Sequence, residues 1–90
     1  MNISIFGLGY VGCVSAACLA ELGHKVIGVD VNSMKVETVL CGQSPIVEPS
    51  LGDLIKKGVK NDRLTATMDY KAAVMQTEVS IICVGTPSKD

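Results

Sequence analysis

The chain has 90 residues, 48% of them hydrophobic, 19% charged and 3% aromatic, with a formal net charge of −1. That balance excludes the basic surface that nucleic acid or an anionic membrane calls for, and no apolar run approaches the ~20 residues needed to span a bilayer. With no Trp and a single Phe any core must be aliphatic, and the length is short beside the usual domain of about 100–150 residues.

Residues 2–6 read as a short β-branched strand suited to a buried parallel sheet. The strand runs straight into Gly7-Leu8-Gly9-Tyr10-Val11-Gly12, a G-x-G-x-x-G turn. Gly7 permits the tight turn, Gly9 lets the backbone approach a pyrophosphate, and Gly12 lets the next helix pack closely on the strand. The free N–H groups at that helix start suit a doubly negative group.

Residues 10–22 read as a helix. Val11, Val14, Ser15, Cys18, Leu19 and Leu22 form its expected apolar face, while Gly12, Ala16, Ala17 and Ala20 keep the rest narrow enough to lie against a sheet. Gly23 is the expected C′ stop, with His24 as a surface or cap residue.

Residues 25–30 form a second strand, completing a βαβ unit with parallel pairing. Asp30 closes it at about the 20-residue spacing at which an acid accepts hydrogen bonds from an adenine ribose. A carboxylate there repels the 2′-phosphate of NADP, which makes NAD the expected cofactor. The competing reading of Asp30 is an N-cap for the next helix, residues 33–40. Lys35 stands in that helix's first turn, either as a solvated cation or beside the ribose or a phosphate.

Pro45 and Pro49 then force an extended path. A short amphipathic helix follows at residues 51–58, with Gly58 expected at its end. Glu48 has no second acid at catalytic spacing and receives no acid/base role. Residues 63–67 read as an edge strand, residues 70–75 as a helix capped from Thr67-Met68-Asp69, and residues 79–84 as a strongly apolar strand. In the strand order 3-2-1-4 the first and fourth strands are neighbours across the switch point. Gly85 and Thr86 would then face the cofactor, although Thr86 also fits a simple turn before Pro87.

The fold class expected is therefore α/β, an incomplete Rossmann-type doubly wound parallel sheet with helices on both faces. The four cysteines, Cys13, Cys18, Cys41 and Cys83, form no C-x-x-C and share the chain with a single His, so no metal site is expected. Cys13 and Cys18 in the helix and Cys83 in the strand read as small buried hydrophobes. Met1-Asn2-Ile3-Ser4 carries no basic leader, and the thiols are expected to be reduced in the cytoplasm.

Four segments together, G-L-G-Y-V-G at 7–12, V-I-G-V-D at 26–30, G-Q-S-P-I-V-E-P at 42–49 and I-C-V-G-T-P-S at 82–88, resemble the UDP-glucose and GDP-mannose dehydrogenase family over essentially the whole chain. The P-I-V-E-P wording with V-G-T-P-S-K is most similar to its GDP-mannose 6-dehydrogenase branch, of alginate biosynthesis, with the UDP-glucose branch as the alternative. The resemblance implies two successive NAD-dependent oxidations at the C6 alcohol of a nucleotide sugar, through a Cys nucleophile. It places Gly7, Gly9, Tyr10, Val11 and Gly12 at the pyrophosphate, Asp30 and Lys35 at the adenosine ribose, and Thr86 in a loop near the cofactor. The family's catalytic Cys, Lys and Asp match nothing here, so residues 1–90 are expected to be the N-terminal part of the NAD-binding domain of a longer, homo-oligomeric enzyme and to be inactive alone. A hydroxy-acid or hydroxyacyl-CoA dehydrogenase and a non-catalytic NAD-sensing module are the competing functions.

Overall fold

The computed structural model describes residues 1–48 and 50–83. In chain order the elements are β1 (Asn2–Phe6), α1 (Tyr10–Glu21), β2 (Lys25–Val29), α2 (Ser33–Leu40), α3 (Leu51–Lys60), β3 (Leu64–Thr67), α4 (Tyr70–Gln76) and β4 (Val79–Ile82). The strands are all parallel and lie in the order β3-β2-β1-β4. This is the expected α/β sheet, with β1 flanked by β2 and β4.

Alternation along the strands divides the sheet into two unlike faces. Register places Val79, Ile3, Val26 and Leu64 in one cross-strand row, and Ile81, Ile5, Gly28 and Ala66 in the next. These rows meet Cys13, Ala16, Ala17 and Ala20 of α1, Val36 and Val39 of α2, and Leu51 and Ile55 of α3 in the main core. Ser4 points to the opposite face, where it is fully buried. Its hydroxyl bonds to Ser80 Oγ at 2.8 Å and accepts from Thr77 Oγ1, at the end of α4, at 3.1 Å. Ala73 of α4 is buried on this side. The helices therefore cover both faces, α1 to α3 on one and α4 on the other.

Three helices end in the same way. In α1 Gly23 N–H donates to Ala20 O and His24 N–H to Leu19 O; in α2 the pairs are Gly42 to Val39 and Gln43 to Thr38; in α3 they are Asp62 to Val59 and Arg63 to Gly58. These are Schellman closures, which need a left-handed residue at C′. Gly23 and Gly42 take φ of 103° and 78°, and Asp62 takes 58°.

The structure corrects several sequence expectations. The face of α1 against the sheet is the small-residue one, Gly12, Cys13, Ala16, Ala17 and Ala20. Val14 and Leu19 pack at its margin, while Val11 and Leu22 are 60% and 74% exposed. Narrow residues bring the helix axis close to the strands, so closeness of approach decides the orientation rather than side-chain size. Cys18 is exposed and is not a buried hydrophobe; Cys41 is exposed as well. Gly58 does not stop α3, which runs on to Lys60. A Cβ at Gly58 would lie 3.1 Å from Leu64 Cβ and 3.4 Å from Ala20 Cβ, so this glycine serves close packing between α3, β3 and α1. In β4, Val79, Ser80 and Ile82 are exposed, because β4 is an edge of the described sheet.

Candidate dinucleotide site

The carboxyl ends of β1, β2 and β3 each lead into a turn before a helix, at the same edge of the sheet. Two of these turns close on themselves. Asn32 Oδ1 accepts from the N–H groups of Met34 and Lys35 at 2.9 and 3.3 Å, and Asp69 Oδ1 accepts from Ala72 N–H at 3.1 Å. Each is an N-cap that satisfies donors at its own helix start. Asp30 is therefore not the cap of α2; Asn32 is.

The β1–α1 turn is built differently. Gly7 takes φ of 103°, closed to most side chains, and its N–H donates to Val29 O at 2.8 Å. Gly9 is the N-cap of α1 and offers no side chain to it. The first bond of the helix is Cys13 N–H to Gly9 O at 2.9 Å. Among the described residues, nothing accepts from the N–H groups of Tyr10, Val11 and Gly12. Among the described residues, a Cβ built on Gly9 meets nothing within 4 Å, so the outer side of the turn is open to them. A Cβ on Gly12 would lie 1.7 Å from Gly7 O, so only glycine allows α1 to start this close to β1. Unpaired donors, a helix dipole and an open glycine flank fit a pyrophosphate.

Asp30 lies just beyond β2 and is partly buried. Its Oδ2 accepts from Leu8 N–H and its Oδ1 from Asn32 N–H, both at 2.8 Å. Each oxygen keeps a free lone pair, enough to accept from two vicinal ribose hydroxyls. The Leu8 contact also joins Asp30 directly to the glycine turn, so the two form one hydrogen-bonded unit. Lys35, partly buried in the first turn of α2, makes no ion pair with Asp30.

Cys13 locks the turn from below. Its Sγ donates to Leu8 O at 3.2 Å, and the side chain is buried. Burial pushes its thiol from 9.0 up to about 11; the nearby Lys35 charge opposes this and Asp30 adds to it. A thiol held neutral this firmly is a structural group and not a nucleophile.

Beside Asp30 lies a cavity of about 200 Å³ lined by Phe6, Gly7, Val29, Asp30, Val31, Met68 and Tyr70. Its walls are mostly apolar and come from the ends of β1 and β2 and from the β3–α4 turn, which suits a flat base attached to a ribose at Asp30. Sequence reading missed Val31, Met68 and Tyr70. The available signal was the strand order, which sets the β3 turn next to the β2 turn. It also missed Leu8, whose signal was a large apolar residue between two glycines. A larger cavity of about 510 Å³ opens at the amino ends of the strands, lined by residues that include Asn2, Lys25, Asp62 and Arg63. It has no glycine turn and lies at the wrong edge for a parallel α/β sheet, whose ligands bind at the carboxyl ends.

The structure thus brings Gly7, Gly9, Tyr10, Val11, Gly12 and Asp30 into one constellation, with Lys35 on the adjoining helix start. Thr86 lies outside the described residues. Among the described residues no three His, Cys, Asp or Glu side chains group as metal ligands, and no helix is long and apolar enough to cross a membrane.

Comparison with known proteins agrees with this geometry. The sequence model of the UDP-glucose/GDP-mannose dehydrogenase family, NAD binding domain, matches residues 1–90. The chain is 58% identical over 89 residues to the GDP-mannose 6-dehydrogenase of Pseudomonas aeruginosa, covering 99% of this chain and 20% of that protein. It is 44% identical over 86 residues to the UDP-glucose 6-dehydrogenase TuaD of Bacillus subtilis, covering 96% of this chain and 19% of that one. The crystal structure of a ternary complex of the Pseudomonas aeruginosa GDP-mannose dehydrogenase superposes with a TM-score of 0.97, over 99% of this chain and 20% of that one. The chain spans about a fifth of the length of these relatives. With its glycine turn tied to Asp30 on a 3-2-1-4 sheet and the model of the family's NAD binding domain matching residues 1–90, this chain belongs to the UDP-glucose/GDP-mannose dehydrogenase family.

Proposed function

We propose that the chain is the N-terminal, adenosine-side part of a longer cytoplasmic nucleotide-sugar 6-dehydrogenase that oxidises GDP-mannose to GDP-mannuronate. The observation that carries the cofactor half of this reading is the uncapped start of α1 beside Asp30. The Tyr10, Val11 and Gly12 N–H groups would hold the pyrophosphate, Asp30 the ribose hydroxyls, and the Phe6–Val31–Met68–Tyr70 cavity the adenine. Lys35 would add a positive charge near the ribose or a phosphate, and Thr86 would line the other lip of the cleft. When bound, NAD supplies the hydride acceptor. These residues would orient it.

The choice of sugar rests on similarity. Six GDP-mannose 6-dehydrogenases are 54–58% identical to the chain, against 44% and 45% for two UDP-glucose 6-dehydrogenases. Exposed Val11, Leu22, Val79 and Ile82 are apolar surface suited to cover by the rest of a longer polypeptide or by a second copy in a homo-oligomer. The test is a panel of GDP-mannose and UDP-glucose with the full-length protein, followed by NADH absorbance. Turnover of GDP-mannose, with about two NADH per sugar for a two-step oxidation at C6, is the expected result. Turnover of UDP-glucose alone would move the protein to the other branch. Absence of turnover with intact NAD binding would favour a sensing module.

A further inference from the structure

Gly28 interrupts the middle of β2, where a side chain would ordinarily fill the cross-strand row between Ile5 and Ala66. Glycine inside a strand weakens it and often marks the close approach of another group. Here that group is the Leu8 side chain, which descends from the glycine turn and is 1% exposed. A Cβ at Gly28 would lie 2.7 Å from Leu8 Cδ2, 3.4 Å from Cδ1 and 3.5 Å from Cγ. On a surface such a contact is relieved by swinging the leucine aside. Leu8 sits instead in the main core with Ile5, Cys13 and Ala66, and both its backbone polar groups are held: N–H by Asp30 Oδ2 at 2.8 Å, C=O by Cys13 Sγ at 3.2 Å.

We propose that Gly28 and Leu8 are positioning residues for the ribose acid: the slot over Gly28 seats Leu8, and the seated Leu8 aims its N–H so that Asp30 is held in register with the ribose hydroxyls. The link runs from residue 28 through side-chain packing to a backbone donor, and from that donor to the carboxylate. Residue 28 thus governs recognition of the ribose without contacting it. This rests on the assignment of Asp30 to the ribose made above.

The test measures dissociation constants in the full-length protein for NAD and for the NAD analogue lacking the adenosine 2′-hydroxyl. The unsubstituted protein should prefer NAD by about tenfold, the worth of one hydrogen bond to a charged group. In Gly28→Ala the preference should fall to about twofold or less as Asp30 loses its register. Leu8→Ala should do the same, and adding Gly28→Ala to it should change nothing more, because the obstructed side chain is gone. If Gly28→Ala does not fold, Leu8→Val carries the test with a smaller drop in the same ratio. Equal weakening of both ligands, with the ratio kept, would reduce Gly28 to a structural role and overturn the proposal. So would an unchanged ratio in every variant, or a ratio near one in the unsubstituted protein. Failure of that protein to bind NAD at all would instead overturn the cofactor assignment itself.

Discussion

The strand-to-helix turns at the carboxyl edge of this sheet solve one problem in two ways. At α2 and α4 the exposed donors of the first helical turn are met by Asn32 and Asp69 from within the chain. At α1 the N-cap is Gly9, and the donors of Tyr10, Val11 and Gly12 face an open flank. A side-chain N-cap is more stabilising than glycine by a few tenths of a kcal/mol, so keeping Gly9 at the start of α1 costs a little stability in the free protein. The same omission leaves an anion site. In the proposed reading, the difference between the turns marks where folding has been traded for cofactor binding.

The contrast can be broken most severely at Gly12. Gly12→Ala drives a Cβ into Gly7 O, and both groups are backbone at the junction of β1 and α1. A cost above about 4 kcal/mol is expected, large enough to unfold a small domain or displace α1. Thermal denaturation together with NAD titration should show either no folded protein or a folded protein that does not bind NAD. Near-normal stability and affinity would mean that α1 does not start where the structure puts it.

Asp30→Asn is the next largest change. It removes the charge and gives one side-chain position an N–H₂ facing the N–H of Leu8 or Asn32. NAD affinity should fall about 10–100-fold, the worth of a charged hydrogen-bonding group, and the gap between NAD and NADP should narrow. An unchanged NAD/NADP ratio in the titration would separate Asp30 from the ribose.

Adding and removing a cap should act in opposite directions. Gly9→Ser introduces a cap at an extended backbone position with open space around it. It should raise stability by a few tenths of a kcal/mol and weaken NAD about tenfold, because the hydroxyl takes donors meant for phosphate. Asn32→Ala should lower stability by about 1 kcal/mol and leave NAD affinity within about twofold. Paired melting and binding curves check both. If Asn32→Ala weakened NAD more than Gly9→Ser did, the two kinds of turn would not differ as described.

A further expected effect lies beneath the turn. The Cys13 thiol is raised to about 11 in the folded protein from 9.0. Its neutral form is thus favoured by folding: the contribution is complete below pH 9, shrinks as pH rises from 9.0 towards 11, and is lost above that. At pH 8 a maleimide should label the exposed Cys18 and Cys41 quickly and Cys13 only after denaturation. Rapid labelling of Cys13 in the native state, read by mass spectrometry, would mean that the turn opens freely.

Much of this arrangement was legible in the chain because it depends on local chemistry. The glycine spacing, the run of Lys25 to Asp30 and the stop at Gly23 each announce a backbone requirement that few other residues meet. What escaped depends on approach between distant segments. The small-residue stripe of α1 is legible as the side that lies against the sheet, but the exposure of Val11 and Leu22 on its larger apolar face is not, because it depends on what the neighbouring segments leave uncovered. Gly58 looks like a helix stop in the sequence because a glycine looks alike at a helix end and at a close crossing; only the neighbouring Leu64 and Ala20 side chains tell them apart. The left-handed Asp62 ends α3 without the glycine that advertised the other two closures. Met68 and Tyr70 line the cavity beside Asp30 only once β3 is placed beside β2. The identity of Asn32 as cap, with Asp30 turned to Leu8 instead, needed side-chain geometry.

The most direct test follows the backbone amides of the three turns as NAD is added, by ¹⁵N-resolved spectra or amide exchange of the protein. The account predicts large shifts or slowed exchange at Tyr10, Val11 and Gly12, and little change at Met34 and Ala72, whose donors are already held by Asn32 and Asp69. Equal responses at all three turns, or none at residues 10–12, would contradict it.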